Sequence, residues 1–181
     1  MDWQKDGANW SMNQLSRFSF VRPYNWHIQD TQAIDKPILL LLHGTGASTH
    51  SWRLLITILK ENFRVIAIDL PGHGFTKISN SARSGLEMMA EDILALLIEE
   101  KIRPDLLMGH SAGAALAFRL ALNIKSGPIG VISVNGVLDH YFDGLSGFLF
   151  PIAAKVLSLN PFSSRFIASV NKITNQTTKT Q

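Results

Sequence analysis

Between residues 38 and 134 the apolar positions fall into two kinds of run that take turns along the chain. Ile38–Leu42 is apolar at every position, the mark of a strand covered on both faces, and it stops abruptly at His43-Gly44-Thr45-Gly46. Residues 63–68 read as a second buried strand and end at Asp69 and the turn-rich Leu70-Pro-Gly-His-Gly74. Residues 106–108 and Gly130–Val134 read as two further strands. The segments between them have helical spacing. Residues 51–59 place Trp52, Leu55, Ile56 and Leu59 on one face, and residues 85–101 gather Leu86, Met89, Ile93, Leu96 and Leu97 opposite Glu87, Glu91, Glu99 and Glu100. Ala112–Asn123 is an Ala/Leu helix, and Ser16–Val21 and residues 26–29 are two short strands split by a turn at 22–25. Strands alternating with helices predict an α/β fold, a mostly parallel sheet with helices on both faces.

After Asn135 the pattern changes. Residues 141–170 are rich in Phe, Leu, Ile and Ser, broken by Pro151 and Pro161, and too interrupted by polar residues to span a membrane. The expected organisation is a core over residues 1–140, a partial cap or lid over 141–170 and a frayed polar tail over 171–181.

Composition narrows the function classes. The chain has 181 residues, 46% of them hydrophobic and only 17% charged, which excludes a disordered protein. Its net charge of +3 comes from the end of the chain: up to Asp143 acids outnumber bases by one, while Lys155, Arg165, Lys172 and Lys179 follow without any acid. A nucleic-acid-binding stripe is therefore not expected. The absence of cysteine excludes disulfides, a thiolate metal site and a cysteine nucleophile, and the first residues do not read as a secretory signal, so the cytoplasm is the expected compartment.

The sharpest chemical signal is Gly109-His110-Ser111-Ala112-Gly113, set between a strand and a helix. A serine at such a turn is held strained with its Oγ exposed at the sheet's carboxyl edge, while Gly109 and Gly113 let strand and helix approach. The helix beginning at Ala112 directs its first amides toward developing negative charge. The Gly44-Thr45-Gly46 loop leaves the neighbouring strand at the same edge, so the Thr45 and Ala112 amides are the candidate oxyanion donors for a Ser111 nucleophile. His43, His73 and His110 lie inside backbone turns and read as structural histidines, and Asp69 as a turn-stabilising carboxylate. A rival reading of Gly44-Thr-Gly46 with Asp69 is a dinucleotide-binding domain, against which Thr49 stands where the third glycine belongs and two strands precede the supposed first one; a nicotinamide-cofactor titration separates the two.

These three motifs, in this order, resemble the α/β-hydrolase family. Trp26-His-Ile-Gln29, His43-Gly-Thr-Gly-Ala-Ser-Thr-His-Ser-Trp-Arg53, Asp69-Leu-Pro-Gly-His-Gly-Phe-Thr76, Gly109-His-Ser-Ala-Gly-Ala-Ala115 and Leu157-Ser-Leu-Asn-Pro-Phe162 further resemble the magnesium-chelatase accessory proteins of bacteriochlorophyll biosynthesis, from about Trp10 to Ala168. The resemblance implies an α/β-hydrolase fold, truncated after about the sixth strand and the start of the cap. It also implies an ester-type serine hydrolase that needs no cofactor and no metal.

In the family the acid and histidine of the triad follow the serine on later loops. Here the only later histidine is His140, beside Asp139, so the triad is expected to be incomplete and the activity impaired. The implied partners are an ester-like or porphyrin-type small molecule and a chelatase complex. A non-catalytic accessory protein, acting in that complex or at a membrane surface through the basic apolar segment, is the alternative. A parallel sheet that stops at Gly130–Val134 would also leave an uncharged edge open to self-association.

Overall fold

The computed structural model describes residues 1–78, 85–125 and 127–136. All of them lie within the first of the two units of the chain, Met1–Leu138. Seven strands form one sheet among these residues: β1 (Ser16–Val21), β2 (Tyr24–Asp30), β3 (Ile38–Leu42), β4 (Arg64–Ile68), β5 (Lys77–Ile78), β6 (Leu106–His110) and β7 (Gly130–Val134). Their order is β1-β2-β4-β3-β6-β7, with β5 on β2. The central β4-β3-β6-β7 pairs are parallel, while β1, β2 and β5 pair antiparallel. This is the α/β-hydrolase arrangement that the motifs imply.

Helices cover both faces, as the two-sided apolar strands require. On one face Leu40, Leu42, Ile66 and Ile68 pack with Ile93, Leu96 and Leu97 of α3 (Leu86–Glu99) and with Leu116 and Leu120 of α4 (Ala112–Asn123). On the other, Leu39, Leu41, Val65 and Ala67 pack with Trp52, from the 3-10 turn Thr49–Trp52, and Ile56 of α2 (Arg53–Leu59). Successive residues of β3 and β4 thus enter opposite cores, which is why their sequences show no alternation.

Three details differ from the sequence reading. The turn after β1 is only Arg22-Pro23, because Tyr24 already pairs with Val21, its ring wholly buried and its hydroxyl 3.1 Å from an Asp92 carboxylate oxygen. Leu86 is exposed, since it is the first residue of α3 and lies beyond the core stripe. A short helix, α1 (Trp3–Asp6), and two 3-10 turns precede β1, docked by Trp3 against Phe18, His27 and Phe75 rather than by any periodic stripe. The expected cap at 141–170, the tail at 171–181, and Asp139 and His140 lie outside the described residues.

Among the described residues β7 has a strand neighbour on one side only, and Ile132 is 39% exposed. We expect the 181-residue chain to self-associate through this edge unless residues 141–170 cover it. Light scattering should show a mass rising with concentration, and Ile132→Lys should return it to that of a monomer. The mass of a monomer at every concentration in the unsubstituted chain would refute the expectation.

Candidate active site

Leu42 is level with Ile68 of β4 on one side and Gly109 of β6 on the other, so the segments leaving these strands emerge at one carboxyl edge. Ser111 follows the last residue of β6 and precedes α4, with φ 53° and ψ −120°. A non-glycine residue reaches that backbone conformation at a cost of about 1–3 kcal/mol, and the surroundings must hold it there. Two glycines supply the closeness. A Cβ on Gly113 would fall 2.6 Å from the His43 carbonyl oxygen and nearer still to that of Leu42, while one on Gly109 would fall 2.5 Å from the Ala114 Cα. The Ser111 amide donates to Val134 O at 3.0 Å, and its carbonyl accepts from the Ala114 amide. Ser111 itself is half-buried.

The loop after β3 lies directly against this turn. A Cβ on Gly44 would be 3.1 Å from Ser111 Cβ and 3.0 Å from His110 Nδ1, so the Gly44 backbone touches both residues. Gly46 has φ +74°, the left-handed region, and turns the loop back. Thr45 and Ala112 are exposed, and their amides donate to no acceptor among the described residues. His110 is half-buried beside Gly44.

Three bonds tie this loop to the segment after β4. The Leu70 amide donates to His43 Nε2 at 2.9 Å, Gly46 N to His73 Nε2 at 3.1 Å, and Thr49 N to Asp69 Oδ1 at 2.7 Å. His43 Nδ1 donates to Gly44 O at 2.8 Å, and His73 Nδ1 to Pro71 O at 3.0 Å. Burial pushes the His43 pKa down, helped by His73, against the opposing pull of the Gly44 carbonyl and Asp69. The ring is thus kept neutral, as a nitrogen that accepts a backbone N–H must be.

Asp69 is the centre of this arrangement. Fully buried, it also accepts from Phe75 N at 2.9 Å and from His27 Nδ1 at 2.7 Å, both on Oδ2. Burial would raise its pKa, but the hydrogen bond and charge of His27, with the Phe75 and Thr49 amides, outweigh it and hold the carboxyl below its usual range. The carboxylate can only accept, so His27 Nδ1 carries a hydrogen, and Nε2 meets the Ser16 hydroxyl at 3.0 Å. The sequence reading of Asp69 as a turn-stabilising group fits these contacts, but it did not include His27. The signal for that residue is His27 and Gln29 in a strand whose other face is Trp26 and Ile28: two polar side chains on one face of a buried strand need partners there.

A family model for the alpha/beta hydrolase family matches residues 39–174, most of the chain. The chain belongs to the alpha/beta hydrolase family. It is 42% identical over 178 residues to the magnesium-chelatase 30 kDa subunit of Rhodobacter capsulatus, covering 96% of this chain and 61% of that one. It is 35% identical over 116 residues to protein phosphatase methylesterase 1 of Mus musculus, covering 61% of this chain and 30% of that one. Among solved structures a hydrolase from Pseudomonas aeruginosa PA01 superimposes with a TM-score of 0.69 at 23% identity, over 86% of this chain and 57% of that one, a likeness of fold. This member of the family therefore spans less than two thirds of the length of these relatives. Among its described residues no imidazole or carboxylate is hydrogen-bonded to the Ser111 hydroxyl, and no group of three or more metal-ligating side chains occurs. None of the described helices is long and apolar enough to cross a membrane.

Proposed function

We propose that this family member carries the acylation half of an ester-type serine hydrolase site. Ser111 is the nucleophile, and the Thr45 and Ala112 amides are the oxyanion donors. The observation that carries the reading is the strained backbone of Ser111 at the end of β6, with the Gly44 backbone packed against its Cβ. In the reaction Ser111 Oγ attacks the carbonyl carbon and its proton passes to a general base. The two amides hold the oxygen that becomes negative, and collapse of the tetrahedral adduct expels the alcohol and leaves an acyl-serine for water to hydrolyse. Gly44, Gly46, Gly109 and Gly113 let the two loops approach, and His110 flanks the serine. No metal or organic cofactor takes part in this scheme.

The likeness to a magnesium-chelatase subunit supports a place beside a chelatase assembly; a porphyrin-type ester as substrate, a role in bacteriochlorophyll biosynthesis and photosynthesis, and a cytoplasmic site are part of the same proposal. The same likeness favours the second reading, an accessory protein whose binding role needs no catalysis.

Hydrolysis of p-nitrophenyl acetate by the 181-residue chain separates the two. With a nucleophile and oxyanion donors but no base on Ser111 among the described residues, the expected rate is slow, at most the roughly 10³–10⁴-fold over water that binding and an oxyanion hole provide. Ser111→Ala should keep that residual, which does not pass through the serine, but lose the acetyl-enzyme detected by mass spectrometry. An acetyl group still taken up by Ser111→Ala would remove the nucleophile assignment, whereas fast turnover lost in both Ser111→Ala and His140→Ala would add His140 as the base.

A further inference from the structure

At the opposite end of the sheet, where residues 101–105 lead into β6, a cavity of about 490 Å³ opens between the C-terminal ends of α3 and α4. Its volume is within the range of small-molecule sites. The walls are aliphatic, made by Leu94, Leu97, Ile98, Ile102, Pro104 and Ile124, with no aromatic ring. Asn123 and three cations, Lys101, Arg103 and Lys125, complete the lining among the described residues, and no carboxylate is part of it. All three are exposed, and none is in an ion pair among the described residues.

Cations commonly follow helix C-termini, where the aligned peptides leave about half a negative charge each. Two helix ends offset roughly one of the three charges here, so the mouth stays positive by about two. The backbone gives an independent sign. Ile102 N donates to Leu97 O at 2.8 Å and Lys101 N to Ile98 O at 3.1 Å, the paired bonds that close a helix with a left-handed residue, and that residue is Lys101 at φ 54°. Glycine is the unstrained choice there. A lysine occupies the position instead, at the mouth of an aliphatic cavity.

We propose that this cavity binds a fatty carboxylate, its alkyl chain against the leucine and isoleucine walls and its head between Lys101 and Arg103. Complementary charge at the mouth, together with walls that offer no ring for stacking, favours a flexible anionic amphiphile over a planar aromatic one or a neutral one.

Laurate, kept well below its micellar concentration, is the probe, titrated into the intact 181-residue chain by calorimetry with dodecanol as the neutral control. One laurate per chain is expected, with methyl NMR shifts at Leu94, Ile98 and Ile124. Lys101→Gly should raise the melting temperature, because it relieves the left-handed backbone, and yet weaken laurate. Lys101→Gly with Arg103→Gln should weaken it about tenfold without affecting dodecanol. The stabilised variant keeps the test free of unfolding. Dodecanol binding as tightly as laurate, unchanged laurate affinity in the double variant, no binding at all, or shifts centred on Ser111 would each overturn the proposal. So would binding to vesicles containing phosphatidylglycerol without binding to monomeric laurate, which would make the surface a membrane-docking face.

Discussion

Gly113→Ala is expected to destabilise the chain by about 3 kcal/mol or more, because its Cβ would be driven into two backbone carbonyls rather than into side chains that can turn away. Strand β3 would have to separate from α4, and the separation would be felt in the loop that follows β3. Gly109→Ala meets Gly113 and Ala114 and should behave alike. Gly72→Ala is the control: it has φ +78° but nothing within 4 Å of a new Cβ, so it should cost only the backbone strain, about 1–2 kcal/mol. Urea unfolding measures all three. A Gly113→Ala midpoint no lower than that of Gly72→Ala, with equal slopes, would mean that the serine turn is packed differently.

The second large effect is expected at Asp69. Asp69→Ala removes the acceptor of Thr49 N, Phe75 N and His27 Nδ1 together, leaving buried donors without partners, and should cost about 3–5 kcal/mol. Asp69→Asn keeps the size but offers one accepting oxygen in place of two, and should fall between. Acid acts on the same network in two stages. The pKa of His43 is lowered from an ordinary 6.5, so its contribution is complete above that pH and is lost as pH falls below it through the folded value. That of Asp69 is lowered from 3.8, so its share is complete above about pH 4 and disappears below it. Unfolding free energy measured from pH 8 to pH 3 should therefore decline first below about 6.5 and again below about 4. His43→Gln should shrink the first decline, leaving the part due to His50, whose pKa is also lowered by burial and Arg53, and Asp69→Ala should shrink the second, leaving the part due to Asp30, held low by Arg64. A profile flat between pH 7 and 5 in the unsubstituted chain would contradict the tie between His43 and the Leu70 amide.

How far this architecture can be read from the sequence depends on what fixes each element. The limits of β3, α4 and β7 agree with the sequence reading because apolar or Ala/Leu-rich runs are bounded there by glycine, histidine or asparagine. The serine turn is legible for the same reason, since its glycines mark places where backbones touch. The segment from Trp3 to Leu15 has no period to read: Trp3 and Trp10 are held by Phe18, Phe75 and His50 from distant parts of the chain. The two residues of β5 are too few to show a period, and Tyr24 looks like a turn residue until its burial is known. The His27–Asp69 pair is hidden by topology. It forms only because β2 runs antiparallel to β4 with Ile28 opposite Ile68, a register that local sequence does not specify.

The account rests on Ser111 with the Thr45 and Ala112 amides around one oxygen, and the most direct measurement is a crystal structure of the chain after reaction with a fluorophosphonate. Phosphorus is predicted on Ser111 Oγ, with the phosphoryl oxygen about 2.7–3.1 Å from both the Thr45 and Ala112 nitrogens. Phosphorus on another residue, or a phosphoryl oxygen turned away from those two amides, would contradict it.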